Sequence, residues 1–381
     1  MFFYRSRSAG GDAWDKWNPE ENYRSCAALR DIVSKLSAID PKNKTPGIWA
    51  LMPSANFQIT ALRPTASLME AVQIHWREYL MEAVELATLM FCICGAGTLF
   101  YGRNSPLANV GLSWTTRSTL MGVVVASATF LIIRSPFGRR SGAHFNPALT
   151  VAYLSLRRIH RWDALSYVVA QFTGGIVGVF LAHQLFGTNL SDFPVRYVVT
   201  IPGRNGIPIA FVAELLTSFI LMEVVLVATN HPRLAKFSPF FVASVTVFYY
   251  VFSTSISGYS VNPARSFSSA LFAHIWQGIW LYFIGPSLGM LAAAALYKRV
   301  AGSDRIYCAK VFHDLRSTCP FNCRFHELLG QAVIRTDRYI CADFHAMGKP
   351  TGCNGATIST TTPTQQPRRS VDTHGSSVGV S

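Results

Sequence analysis

The sequence predicts an all-α membrane protein in which six transmembrane helices and two re-entrant half-helices form an inverted repeat. Two observations carry this prediction. Hydrophobic residues make up 50% of the 381 residues and charged residues only 14%, whereas soluble globular proteins carry about 25% charged residues. The tripeptide Asn-Pro-Ala also occurs twice, at residues 146–148 and 262–264, in equivalent places of two halves of the apolar region.

The composition and charge exclude several other classes of protein. A chain this apolar is neither a soluble two-domain enzyme nor a disordered scaffold or coiled coil. The net charge of +14 would suggest nucleic-acid binding in a soluble protein. In a membrane protein it more often reflects basic segments that flank the spans on the cytoplasmic side. We therefore expect no nucleic-acid partner.

The apolar region lies between two polar ends, which gives three predicted parts. Residues 1–76 form an N-terminal tail, residues 77–300 form the membrane domain, and residues 301–381 form a C-terminal tail. From about residue 351 the tail is rich in Thr, Ser, Gly and Pro, and we expect it to be disordered. The first residues lack the pattern of a secretory signal peptide, so the first span is expected to direct insertion.

Six apolar runs approach or reach the length of about 20 residues that an α-helix needs to cross a bilayer. Small residues recur inside these runs, and small residues let membrane helices approach closely. The helices therefore read as members of one bundle. The predicted spans cover approximately residues 79–101, 118–133, 164–186, 207–228, 238–256 and 276–297.

The loops between the spans indicate their orientation. Lys and Arg are more frequent in the loops after the second and fourth spans than in the opposite loops, and these residues favour the cytoplasmic side. Both termini are therefore expected to be cytoplasmic, at the plasma membrane or an internal membrane. Asn189 begins a candidate glycosylation sequon, Asn-Leu-Ser, in the loop after the third span, on the opposite side.

Each Asn-Pro-Ala box predicts the start of a short helix. Proline is favoured in the first turn of a helix, and the preceding asparagine can cap the helix N-terminus. The expected half-helices end near residues 156 and 272, so neither can cross the membrane. Because each half has three spans, the halves have opposite orientations and their boxes meet near the midplane. The box residues are Asn146, Pro147, Ala148, Asn262, Pro263 and Ala264.

Two helix N-termini that meet in this way place positive partial charge at one point. A pore with this barrier repels cations, protons included, and admits neutral molecules that form hydrogen bonds. Glu82 and Glu214 lie at equivalent places in the first span of each half. A carboxylate inside a span is costly and marks a specific role, here structural support. His144, just before the first box, is expected to stabilise its half-helix by hydrogen bonding.

On these residues the sequence resembles the aquaporin, or major intrinsic protein, family. The resemblance covers about residues 78–300, and it extends beyond the boxes to Glu82, Glu214, Gln171, Gly285 and Pro286. It implies a six-helix bundle with one pore per subunit, assembled as a homotetramer in the lipid bilayer. It also implies a passive channel for water and small neutral solutes, with neither enzymatic activity nor a cofactor.

By this resemblance four residues form a narrow selectivity filter. They are Ala126, Tyr250, Tyr259 and Arg265. Arg265 supplies a fixed positive charge and hydrogen-bond donors, which fits selection of neutral solutes. Orthodox water channels usually carry Phe and His where this chain has Ala126 and Tyr250, and Tyr259 is bulkier than the usual small residue. Two interpretations stay open: the tyrosines close the gap that Ala126 opens, or they leave it open.

Other positions favour water over glycerol. Glycerol-conducting members of the family typically follow the filter arginine with Asp and carry Pro and Leu in the sixth span. This chain has Ser266, Tyr282 and Phe283 at those places. The sequence therefore predicts a water channel. The alternatives are a facilitator of glycerol, hydrogen peroxide or ammonia, and a weakly conducting adhesion or signalling protein.

The tail cysteines form a weaker pattern. Cys319 and Cys323 are spaced C-x3-C, with His313 and His326 nearby. This pattern is incomplete for a zinc site, so we expect free thiols and no metal. A disulfide framework is not expected in cytosolic tails.

Overall fold

The computed structural model describes residues 67–313 and 319–328. Within these residues the structure consists of helices joined by loops and turns, and it contains no strand. Six of the helices are long and apolar enough to cross a membrane. The predicted fold class is therefore confirmed. The N-terminal tail up to residue 66 and the C-terminal segment predicted to be disordered lie outside the described residues.

The helices are numbered here in chain order. In the membrane region that the structure describes, the six long helices are accompanied by shorter helices, of which two are the half-helices that begin at the Asn-Pro-Ala boxes. The bounds are α1 Leu68–Tyr101, α2 Trp114–Arg134, α3 Pro136–Ser141, α4 Pro147–Ser155, α5 Arg161–Phe186, α6 Thr188–Ser191, α7 Gly206–Thr229, α8 Ser238–Phe252, α9 Thr254–Ser257, α10 Pro263–Ala273 and α11 Ile279–Ala301.

The first helix begins well before the predicted start of its span. Ser67 caps it by accepting a hydrogen bond from the Glu70 N–H at 3.2 Å, as N-cap serines commonly do. The added turns are tied to α5, because the Asp163 carboxylate lies 2.6 Å from both the His75 ring and the Tyr79 hydroxyl. These polar side chains hid the extension from a search for apolar runs.

The fifth long helix, α8, ends earlier than its apolar run. Its last residue is Phe252, and the chain turns at Ser253 into the short helix α9. Gly258 ends α9 with φ of +78°, a left-handed conformation that favours glycine. The same arrangement occurs in the first half, where α3 ends at Gly142 with φ of +103°. The Ser-Gly pair that precedes each box is therefore the end of a short helix.

Glycines bring the long helices into backbone contact in the same way in both halves. A Cβ atom added at Gly174 or Gly178 of α5 would lie 2.1 or 2.3 Å from a carbonyl oxygen of α1. A Cβ atom at Gly289 of α11 would lie 2.2 Å from the Leu215 carbonyl oxygen of α7. Close approach through small residues is typical of membrane helices, and here it sets the spacing around both half-helices.

We predict that Gly178→Ala lowers the thermal stability of the protein in detergent. The new Cβ would meet a backbone oxygen that cannot rotate away, and overpacking of this kind costs about 1–3 kcal/mol. Gly95→Ala is the matched control, because its Cβ would meet only the ring of Phe186, at 3.2 Å. Unfolding followed by size-exclusion chromatography after heating measures the difference. Equal midpoints for the two variants would contradict the close contact.

Candidate functional site

Two buried glutamates hold the loops that lead into the boxes. Glu82 of α1 accepts the N–H groups of His144 and Phe145 at 2.9 and 2.6 Å. Glu214 of α7 accepts the N–H groups of Ser260 and Val261 at 2.8 and 2.7 Å. Both glutamate side chains are fully buried. Each carboxylate therefore fixes two successive backbone N–H groups just before an Asn-Pro-Ala box.

The backbone of both loops has an unusual conformation. Ala143 and Phe145 have positive φ in the first loop, and Tyr259 and Val261 have positive φ in the second. Such conformations cost about 1–3 kcal/mol for residues with a side chain, and they persist where the surroundings stabilise them. The carboxylate hydrogen bonds are the stabilising contacts. They turn successive N–H groups to one side of the loop, toward the glutamate.

The two boxes contact each other through their asparagines. The Asn146 amide donates to the Val261 carbonyl oxygen at 2.8 Å, and the Asn262 amide donates to the Phe145 carbonyl oxygen at 2.7 Å. Each asparagine oxygen also caps its own half-helix. Because a side-chain amide carries two N–H donors, each asparagine has a second donor beyond this crossed pair. The half-helix N-termini therefore meet head to head.

The histidine before the first box stabilises its loop from three sides. Its Nε2 lies 2.8 Å from the Ala309 carbonyl oxygen, which can only accept, so this nitrogen carries the proton. Its Nδ1 lies 3.1 Å from the Thr150 hydroxyl of α4. The His144 ring stacks between Tyr153 and Phe321, with ring centroids 5.2 and 5.3 Å away. The structure thus places His144 between the half-helix and the chain that follows α11.

Three of the four candidate filter residues lie together. The rings of Tyr250 and Tyr259 meet edge to face with centroids 5.0 Å apart, and the Arg265 guanidinium lies beside the Tyr250 hydroxyl. Arg265 is buried, and its Nη1 has no hydrogen-bond partner within the part of the chain that the structure describes. The guanidinium therefore keeps one buried hydrogen-bond donor that the described residues leave unused.

The fourth candidate, Ala126, occupies a different environment. It is buried in α2, one helical turn after Gly122, whose backbone lies against the Tyr250 side chain. Ala126 also lines an apolar groove between α2 and α8, together with Val123 and Ala243. Ala126 therefore lies next to α8, the helix that carries Tyr250, and its side chain has no polar group.

Sequence reasoning missed several side chains that stabilise the loops. The Ser141 hydroxyl donates to Glu85 at 2.7 Å, and the Ser257 hydroxyl donates to Glu214 at 2.7 Å. The carbonyl oxygen of each of these serines accepts a tyrosine hydroxyl, from Tyr167 at 2.7 Å and from Tyr282 at 2.6 Å. Comparison of the halves could have found these tyrosines, because α5 and α11 are the third span of each half.

Two other residues that the sequence analysis singled out, Ser266 and Asn189, form polar contacts. Ser266, which follows Arg265, shares hydrogen bonds with the hydroxyls of Ser260 at 2.5 Å and Thr200 at 2.6 Å. The candidate glycosylation residue, Asn189, is exposed on α6 and accepts a hydrogen bond from the Asn104 amide at 2.9 Å. The hydroxyl of Ser266 is thus used inside the protein, whereas the Asn189 side chain is exposed.

The tail cysteines are arranged differently from the sequence pattern. Cys319 and Cys323 are joined by Cys308 and His313 in one cluster, while the other nearby histidine, His326, lies outside it. Burial raises the pKa of the Cys308 thiol and raises that of Cys319 to about 12. Cys308 was not part of the C-x3-C pattern, because only the fold of the segment after α11 brings it beside Cys319.

We predict that Glu214→Gln destabilises the protein. A glutamine presents an NH2 group to one of the backbone N–H donors, and a buried donor left without an acceptor costs about 1–3 kcal/mol. Glu223→Gln is the matched control, since it lies on the same helix and accepts none of the loop N–H groups. Thermal unfolding in detergent measures both. A Glu214→Gln protein as stable as the Glu223→Gln protein would contradict the role of the carboxylate.

The chain matches known proteins over its membrane region. The model of the family described as major intrinsic protein matches residues 69–297. A probable aquaporin NIP-type from Nicotiana alata is 29% identical over 62% of this chain and 82% of its own length. Glycerol uptake facilitator protein-like 6 from Lactiplantibacillus plantarum is 32% identical over 60% of this chain and 99% of its own length.

A solved structure shows the same fold. The aquaglyceroporin from Plasmodium falciparum matches with a TM-score of 0.51 at 22% identity, covering 61% of this chain and 98% of that chain. The family match spans well over half of the chain, includes both boxes, and supports a membrane channel for small solutes. The chain belongs to the major intrinsic protein family.

Proposed function

We propose that this protein is a passive channel that conducts water and other small neutral solutes and excludes ions and protons. One observation carries the proposal: the crossed contacts of Asn146 with Val261 and of Asn262 with Phe145. They join the N-termini of two half-helices that are each too short to cross the membrane. A solute at this point meets amide donors from both halves.

The charge at the junction supports selection of neutral solutes. Each helix N-terminus carries about half a positive elementary charge, and Arg265 adds a full buried charge close by. Cations are therefore repelled, while a neutral molecule exchanges hydrogen bonds with water for hydrogen bonds with the amides and the Arg265 Nη1. Exclusion of protons follows from the same barrier.

The filter residues favour water as the main solute. Tyr250 and Tyr259 lie against each other beside Arg265, and two rings at this point narrow the passage. Ser266 stands where glycerol-conducting members of the family typically carry Asp, and its hydroxyl is already hydrogen-bonded to other side chains inside the protein. Glycerol conduction is the second candidate, since a relative 32% identical to this chain is named a glycerol uptake facilitator protein.

We also propose cytoplasmic termini and a homotetramer. With six spans, the start of α1 and the end of α11 lie on the same side of the membrane, and the richer Lys and Arg content of the loops on that side supports a cytoplasmic location. Large apolar side chains remain exposed on the outward faces of the long helices, as at Leu131, Phe240 and Phe248. These faces fit lipid or neighbouring subunits. With cytoplasmic termini, Asn189 would lie on the outer side of the membrane.

Stopped-flow light scattering on proteoliposomes tests the proposed channel. Vesicles that contain the full chain are exposed to an osmotic gradient of an impermeant solute and then to a glycerol gradient. We expect fast water efflux and slow glycerol entry, and we expect the water rate of Arg265-substituted protein to differ from that of the wild type. Water efflux at the rate of protein-free vesicles, from well-folded protein, would contradict the proposal.

We predict that Tyr250→Ala raises glycerol permeability severalfold relative to water permeability, because removal of one ring widens the filter beside Arg265. Phe248→Ala is the matched control, since this side chain on the same helix is 56% exposed on its outer face. The same stopped-flow measurements give both rates. An unchanged glycerol-to-water ratio for Tyr250→Ala would show that this tyrosine does not limit the passage.

A further inference from the structure

Four side chains that commonly bind metal ions gather after the last long helix. They are three thiols and one imidazole, from Cys308, His313, Cys319 and Cys323, and their ligand atoms all lie within 4.8 Å of one another. The Sγ atoms of Cys308 and Cys319 are 3.4 Å apart, and His313 Nε2 lies 3.2 Å from the Cys323 Sγ. The three cysteines are buried.

The two shortest of these distances are close to those between the ligands of a tetrahedral zinc ion. A tetrahedral zinc ion with bonds of about 2.3 Å to sulfur and about 2.0 Å to nitrogen places neighbouring ligand atoms roughly 3.5–3.8 Å apart. The Cys308–Cys319 and His313–Cys323 distances lie within a few tenths of an ångström of that spacing, and the remaining ligand atoms lie within 4.8 Å of one another. A disulfide needs sulfur atoms about 2.05 Å apart, much closer than those of Cys308 and Cys319. The three cysteines described in this region are free thiols.

We propose that Cys308, His313, Cys319 and Cys323 form a Cys3His site for a structural Zn²⁺ ion. Thiolate and imidazole ligands in tetrahedral geometry select zinc over calcium and magnesium, which prefer oxygen ligands. Four protein ligands leave no open position, so the ion is structural and not catalytic. Binding displaces protons from the thiols, and zinc affinity therefore falls as the pH falls.

The surroundings complete the site. Three thiolates and one Zn²⁺ leave a net charge of −1, and the buried Lys310 interacts electrostatically with Cys319. The ammonium group of Lys310 thus balances the excess charge. The His313 ring stacks on Phe325 with centroids 4.2 Å apart, which fixes the direction of its Nε2. His326, whose side chain is 46% exposed, stands outside the cluster and takes no part.

The proposed ion would fix the segment after α11 against the loop of the first box. Between the ligands Cys308 and His313, the Ala309 carbonyl accepts from the His144 ring, and the Val311 N–H donates to the Gly142 carbonyl oxygen at 3.0 Å. Phe321, between the other two ligands, stacks on His144. Zinc would therefore stabilise the segment that covers this loop. This role does not depend on which solute passes.

Metal analysis of the purified full chain tests the site. The protein is prepared with reductant, incubated with zinc chloride, dialysed, and measured by inductively coupled plasma mass spectrometry. We expect about one zinc per chain, as a closed four-ligand site requires. Zinc at the level of the buffer, or a Cys308–Cys319 disulfide found by peptide mass spectrometry in the reduced preparation, would overturn the proposal.

Matched variants separate this site from adventitious binding. His313→Gln and Cys323→Ser are each expected to lose most of the zinc. His326→Gln and Cys92→Ser, which change the same residue types outside the cluster, are expected to keep it. Equal zinc in all four variants would overturn the assignment of these ligands.

Cobalt substitution and chelation use only the wild-type protein, so both tests remain valid if a ligand variant fails to fold. Co²⁺ in the site is expected to show the intense visible bands of a tetrahedral complex and a thiolate-to-cobalt charge-transfer band. Zinc removal by a chelator is expected to speed hydrogen exchange in residues 306–313 and in the Gly142 loop, and zinc addition to reverse it. A cobalt spectrum without these bands, or exchange unaffected by chelation, would overturn the proposal.

Discussion

A hydrogen bond between a buried carboxylate and the backbone of a strained loop is the interaction on which the centre of this protein depends. Glu82 and Glu214 each accept two successive N–H groups. Each loop carries two side-chain-bearing residues with positive φ, at about 1–3 kcal/mol apiece. Hydrogen bonds to a charged group contribute about 1.5–3 kcal/mol each, which offsets this strain. The carboxylate in turn avoids an unpaired position among apolar helices.

The two halves stabilise the loops before their boxes through equivalent glutamates, but the contacts around these glutamates differ. In the second half, Ser257 and Ser260 link the loop to Glu214 and to the half-helix α10. In the first half, Ser141 uses a second carboxylate, Glu85, and His144 faces the segment after α11. The central geometry is therefore symmetric, while the first loop is also covered by residues from the end of the described chain.

The repeat made the centre of the fold predictable, because proline, asparagine and glycine each have a specific local preference. The half-helices begin at Pro147 and Pro263 as expected, and the family assignment is confirmed. The start of α1 was missed because its added turns are polar on the side that meets Asp163. The place of Cys308 beside Cys319 was missed because it depends on how the segment after α11 folds back. The roles of the filter residues stay predictions.

The most direct test of a pore between the two boxes is the activation energy of water permeation through proteoliposomes that contain the full chain. Water that moves in single file past hydrogen-bonding groups avoids the cost of entering lipid. We predict an activation energy well below that of protein-free vesicles of the same lipid, and close to that of water diffusion in bulk. An activation energy equal to that of the protein-free vesicles would contradict a continuous pore.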